Sequence, residues 1–224
     1  MSDHQPGELD AAIFDLGGVL TTPVLESFAD FEKDLGLKPG DLVKTFREHY
    51  ARTDGESDFH LLETGQISEV EYYQRLGSRL SEMGSTIVMP DDPVEVRKKL
   101  WGGIRRNDEM IEGARQIAKH YKVAVLTNNV KEWGGWREFY PAEIFHVIVD
   151  SSEVGMRKPD PRIYRLACER LGVEPHRASF VDDIEDNVVG ARNVGLHGIH
   201  FTTTGEVLAQ LRPLFPKAFE RDGG

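Results

Sequence analysis

Residues 11–20 read AAIFDLGGVL: four apolar residues, a carboxylate at Asp15, then Leu16 and a Gly17-Gly18 pair. A continuous rather than alternating apolar run is the mark of a strand covered on both faces. Four later stretches have the same texture, VAVLT (123–127), HVIVD (146–150), SFVDD (179–183) and GIHFT (198–202). Helical patterns lie between these four: WREFYPAEIF (136–145), which Pro141 shortens or breaks, PDPRIYRLACERLG (159–172) and DNVVGARNVG (186–195). Alternation of buried strand and helix predicts an α/β fold, a Rossmann-like doubly wound parallel sheet with crossover helices.

Residues 23–105 break the rhythm. They offer no strand but four helix patterns: LESFADFEKDLGL (25–37), DLVKTFREHY (41–50), SEVEYYQRLGSRLSEMG (68–84) and PVEVRKKLWGGI (93–104). Ser68 with Glu71 is a capping-box signature, and PDDP (90–93) marks the start of the last helix. The expected organisation is a core formed by 1–22 and 106–224, with a helical cap at 23–105 inserted after the first strand. The tail beyond Pro213 reads as polar and loosely held.

The chain has 224 residues and a net charge of -11, which argues against nucleic-acid binding through a basic face and against acidic membrane surfaces. No apolar run reaches the roughly 18 residues of a membrane span. The acidic start MSDHQPGELDAA lacks the pattern of a signal peptide, so a cytoplasmic location is expected. The single cysteine, Cys168, lies on an apolar helical stripe and reads as a small core residue.

In open parallel sheets, ligands bind outside the carboxyl ends of the strands. The first strand ends on Asp15, the second on Thr127-Asn128-Asn129, and the fourth on Asp182-Asp183, while Lys158 lies in the segment after the third. Each is ordinary turn or cap chemistry when alone. The fold gathers all of them on one edge. Crowded carboxylates repel by about 4 kcal/mol per close pair near a protein surface, a conflict that one lysine and a divalent cation such as Mg2+ would relieve.

IFDLGGVL (13–20), VLTNN (125–129), GMRKPDPRIY (155–164) and FVDDIEDNVVGARNVG (180–195) resemble, in order, the four motifs of the haloacid dehalogenase-like hydrolase superfamily. The texture is that of its small-cap phosphatases, including the N-terminal domain of soluble epoxide hydrolase. The resemblance implies an aspartyl-phosphate intermediate on Asp15 and a small phosphorylated substrate. It also implies phosphoryl contacts from Thr127, Lys158 and the neighbouring Asn128 and Asn129. Mg2+ would be held by Asp15, the Gly17 carbonyl and Asp183, with Asp182 outside the direct ligands.

One departure matters. Phosphatases of this superfamily carry a second Asp two residues after the nucleophile, where this chain has Gly17. Such an acid–base group contributes about 10²–10⁴-fold in rate. Four readings stay open at this level. One is a phosphatase in which another group moves the proton, or whose leaving group needs none. A second is a metal-independent 2-haloacid dehalogenase. A third is a phosphonoacetaldehyde-type hydrolase using Lys33, Lys38 or Lys44. The last is a catalytically weak phosphate-binding or sensing protein. His49 and His60 in the insert read as packing or surface residues, and Trp101, Trp133 and Trp136 as core or cap-hinge residues rather than a binding platform. Arg157 either adds positive charge beside the phosphate or covers surface. Asp186 is either a helix cap or a residue behind the metal site.

Overall fold

The computed structural model describes residues 7–23, 32–33, 38–41, 44, 57–82, 92–139 and 142–220. The apolar runs form five strands: β1 (Ala11–Phe14), β2 (Lys122–Thr127), β3 (Val147–Asp150), β4 (Ala178–Asp182) and β5 (His197–His200). They make one parallel sheet in the order β3-β2-β1-β4-β5. The absence of alternation in β1 has a direct cause. Ala12 and Phe14 enter one apolar cluster, with Met110, Ile117, Val123 and Val125, while Ala11 and Ile13 enter another, with Ala124, Leu126, Tyr164 and Phe180. Both faces are dry, so every position is apolar.

β1 is central, and the chain leaves it for β2 and β3 on one side before returning to β4 on the other. That reversal opens a crevice at the carboxyl ends of β1 and β4. Asp15 follows β1, and Asp182 ends β4 beside it.

Between β1 and β2 the described residues contain α1 (Asp58–Glu63), α2 (Glu69–Glu82), α3 (Pro93–Trp101) and α4 (Asp108–Ala118). Ser68 Oγ accepts from the Glu71 N–H at 3.2 Å, and Asp92 caps α3 by accepting from Val94 N–H at 2.9 Å. Both starts match the sequence signals. Helices α1 and α4 have no counterpart among the sequence patterns: α1 is only six residues long, and α4 begins just beyond the expected end of the insert. The patterns at 25–37 and most of 41–50, with His49, lie outside the described residues.

After β2 come 3-10 segments at Lys131–Phe139 and Ala142–Ile144 in place of an α-helix, while Tyr140 and Pro141 lie outside the described residues. Among the described residues three helices accompany β3, β4 and β5, and two of them carry a side-chain N-cap. α5 (Ser151–Val154) follows β3. Next, α6 (Pro161–Leu171) is capped by Asp160 and ended by left-handed Gly172. α7 (Glu185–Asn193) links β4 to β5. Asp186 lies exposed in its first turn while Ile184 occupies the cap position, so Asp186 is not the cap. Cys168 is buried in the α6 core stripe, and burial pushes its thiol up to about 11.

The tail is a correction. Thr204–Leu214 forms α8 and Pro216–Phe219 forms α9. Leu211, Leu214 and Phe215 are buried in the first cluster, with Phe215 edge-on to Tyr121 at 5.1 Å. Leu9 N–H also donates to Leu214 C=O at 3.0 Å. Polarity averaged over the tail hid the few apolar residues that anchor it.

Candidate active site

The carboxyl edge of the sheet carries a dense charged cluster. Asp15 is fixed through its own N–H, which donates to Val181 C=O at 2.9 Å, and its carboxylate accepts from Leu16 N–H at 2.7 Å. Lys158 is only 1% exposed and reaches two carboxylates at once, Asp15 Oδ1 at 2.8 Å and Asp182 Oδ2 at 2.7 Å. Its ammonium also sits over the Phe180 ring, 5.4 Å from the centroid.

Asp182 is locked. Besides Lys158 it accepts from Ile184 N–H at 2.8 Å and from the Asn187 amide at 3.1 and 3.2 Å. Sequence reasoning treated Asn187 only as the start of a helix. Its spacing from Asp182, five residues on across a strand-to-helix turn, is the signal that was available.

Asp183 takes the other direction and lies against the turn after β1. That turn, Leu16–Leu20, closes with Thr21 N–H on Leu16 C=O at 3.0 Å and carries Gly18 at φ +75°. A Cβ on Gly18 would stand 2.1 Å from Asp183 Oδ2. The glycine is therefore required twice, by its left-handed backbone and by the carboxylate packed on it. Gly17, at φ -69° and ψ 128°, has a conformation any residue adopts.

Asp15, Asp182 and Asp183 each offer an oxygen within 4.8 Å of the others. Burial raises the Asp15 carboxyl well above the ordinary range, Asp182 and Asp183 push it further, and Lys158 pulls against them. Burial and then Asp182 push Asp183 up to about 6. Burial disfavours the Lys158 ammonium, but Asp15 and Asp182 outweigh it and hold its pKa above the ordinary lysine value. With all three carboxyls ionised, one ammonium leaves an excess of two negative charges; a divalent cation would balance that excess and favour the ionised forms that burial opposes. The oxygen-only donor set suits a hard ion, and the missing side chain of Gly18 is what lets the Asp183 carboxylate join that set.

The remaining expected residues divide. Thr127 ends β2 at this edge and is buried. The Asn128 amide clamps the peptide of Lys158, accepting from its N–H at 2.8 Å and donating to its C=O at 3.1 Å. The Asn129 side chain turns away, donating to Asp150 at 3.0 Å and accepting from Val130 N–H at 2.8 Å. Arg157 is paired with buried Glu63 of α1, Nε to Oε2 at 2.8 Å. His60 is buried in α1. Trp133 donates to Glu69 of α2 at 2.6 Å and packs on Phe59, Leu62 and Val130, while Trp136 packs against the first cluster.

A family model described as haloacid dehalogenase-like hydrolase matches residues 9–195. The chain is 30% identical over 91% of its length to mouse acyl-CoA dehydrogenase family member 10, of which it spans 19%. It is 29% identical over 91% to pig bifunctional epoxide hydrolase 2, of which it spans 38%. A sesquiterpene phosphatase of Aspergillus oryzae is 28% identical, with 91% of this chain and 95% of that protein covered. Among solved structures, a haloacid dehalogenase family enzyme of Bacteroides thetaiotaomicron in complex with magnesium and inorganic phosphate is similar at TM-score 0.62 and 21% identity, covering 87% of this chain and 94% of that one. A dehalogenase is similar at TM-score 0.66 and 20% identity, covering 96% and 98%.

Proposed function

This chain belongs to the haloacid dehalogenase-like hydrolase family, and from that premise we propose that it is a Mg2+-dependent phosphatase of small phosphorylated metabolites, working through an aspartyl phosphate on Asp15. The observation that carries the reading is the meeting of Asp15, Asp182 and Asp183 around Lys158 at the sheet's carboxyl edge. In this reading residues 1–22 and 106–224 form the core, and the helices of 23–105 cap it. A metal-binding relative of known fold and a phosphatase relative support the choice.

Asp15 Oδ attacks phosphorus, and the bond from phosphorus to the leaving oxygen breaks as the new one forms. Water then hydrolyses the aspartyl phosphate, releasing phosphate and restoring the carboxylate. Lys158 holds Asp15 in place and faces the phosphoryl oxygens with positive charge. Thr127 donates its hydroxyl, and Asn128 keeps the Lys158 peptide in register. Asn129 stands beside this set rather than in it, since its side chain is engaged with Asp150 and its N–H with Ser151. Asp15, Asp183 and the Gly17 carbonyl would hold Mg2+, with Asp182 behind them, tied to Lys158 and Asn187. When bound, the ion supplies neutralisation of charge on the transferring group. Gly17 brings no proton donor, so substrates with good leaving groups are favoured.

A 2-haloacid dehalogenase would fit the similar dehalogenase structure. Its carboxylate substrate would, however, approach three clustered carboxylates. A phosphate-release screen over several dozen phosphorylated metabolites and an aryl phosphate decides. We expect turnover that needs Mg2+, stops with EDTA and is absent in Asp15→Asn. Halide release from 2-chloropropionate without metal, or phosphate binding with no turnover anywhere, would refute the proposal.

A further inference from the structure

Six residues from three parts of the chain close a ring of contacts. Lys158 N–H donates to Asn128 Oδ1 at 2.8 Å. The next residue, Asn129, donates its N–H to Ser151 Oγ at 2.9 Å. Ser151 Oγ donates to the C=O of Glu63 at 2.6 Å, and Arg157 Nε donates to the Glu63 carboxylate at 2.8 Å. Arg157 is bonded to Lys158, and the ring is complete. Glu63 is the member that comes from the inserted helices. It is 3% exposed, and both its carbonyl and its carboxylate are spent on the core.

We infer that Glu63 is a positioning residue for phosphoryl transfer: through Arg157 and Ser151 it holds the segments that carry Lys158 and Thr127. The inference rests on the reading of Asp15 and Lys158 given above. A buried carboxylate is costly unless paired, and this one is paired with a side chain adjacent to the lysine that grips Asp15. Packing supports the same junction. Phe59 and Leu62 of α1 lie on Val130, and Gly65 passes so close to the α5 backbone that a Cβ would meet Ser152 C=O at 3.1 Å. Seating of α1 and placement of Lys158 are thus one event. Misplacement of a reacting group by about 1 Å costs about 100-fold in rate.

Glu63→Gln keeps size and removes charge, and Arg157→Gln opens the same contact from the core side. Each is measured with Mg2+ and p-nitrophenyl phosphate, and by hydrogen exchange over 155–160. We expect kcat to fall about 10- to 100-fold with KM changed less than about two-fold. Exchange of the Lys158 amide should rise while amides of β5 keep their protection. The double variant should be no worse than either single one, because both break one link. A pair that only stiffens the fold would lower thermal stability and leave kcat near wild type. That result, or unchanged exchange at 155–160, overturns the inference. A wild-type chain inert to every phosphate ester would instead overturn the phosphatase reading, and the catalytic part of this inference with it.

Discussion

Replacing Gly18 with Ala tests whether the turn after β1 and the end of β4 together build the proposed metal site. The added methyl meets two costs. A non-glycine residue in the left-handed region loses about 1–2 kcal/mol, which for a chain of this size lowers Tm by about 2–8 °C. The second cost falls on Asp183. A Cβ 2.1 Å from Oδ2 and 2.4 Å from Cγ forces the carboxylate to retreat by about 1 Å to reach ordinary contact. Metal–ligand distances tolerate only about 0.2 Å, so Asp183 would leave the ligand set. Calorimetric titration with Mg2+ should show affinity falling at least about ten-fold, equivalent to about 1.4 kcal/mol. Gly17→Ala is the control, since its backbone at φ -69° carries no left-handed cost. Equal Mg2+ affinity in Gly18→Ala and wild type would refute the argument that Asp183 binds the ion from its place on Gly18.

Gly17→Asp should raise turnover more on alkyl than on aryl phosphates, because only the alkoxide leaving group needs a proton, and steady-state kinetics on one ester of each kind would show it. No change on either ester would mean that proton transfer does not limit the rate. At the opposite end of β1, Arg177 grips Asp10 with Nε and Nη2 at 2.9 and 2.7 Å and holds its carboxyl below the usual range. Because the folded pKa is depressed, the pair stabilises above the unfolded value of about 3.9 and that contribution is lost as pH falls through the folded value. Asp10→Asn should therefore narrow its deficit against wild type in acid unfolding below about pH 4. The deficit at neutral pH should be under about 1 kcal/mol, since both side chains are well exposed.

The strands were legible because a sheet dry on both faces must be written in continuous apolar runs, and AAIF and SFVD carry no other message. Polar residues at the strand ends were legible too, since such an edge has no structural use for so many acids. The strand order was not, because apolar runs say nothing about which neighbour each strand takes. Gly18 could be read as a turn residue, but not as the seat of Asp183, which lies far along the chain. The Glu63–Arg157 pair was illegible for the same reason: an acid in a short helix looks solvated until the fold buries it. Asn129 shows the converse. Its place beside Thr127 suggested a ligand contact, yet its amide faces Asp150. The tail misled because one buried Phe215 outweighs several polar neighbours.

Lys158 is shut between Phe180 and two carboxylates. Amine-reactive chemistry depends on a free, accessible amino group, which this one is not. Dyes, cross-linkers or a solid support attached through surface lysines would therefore pass the central ammonium by. The protein can be tethered or labelled through its exposed lysines with the Lys158 contacts to Asp15 and Asp182 left as they were.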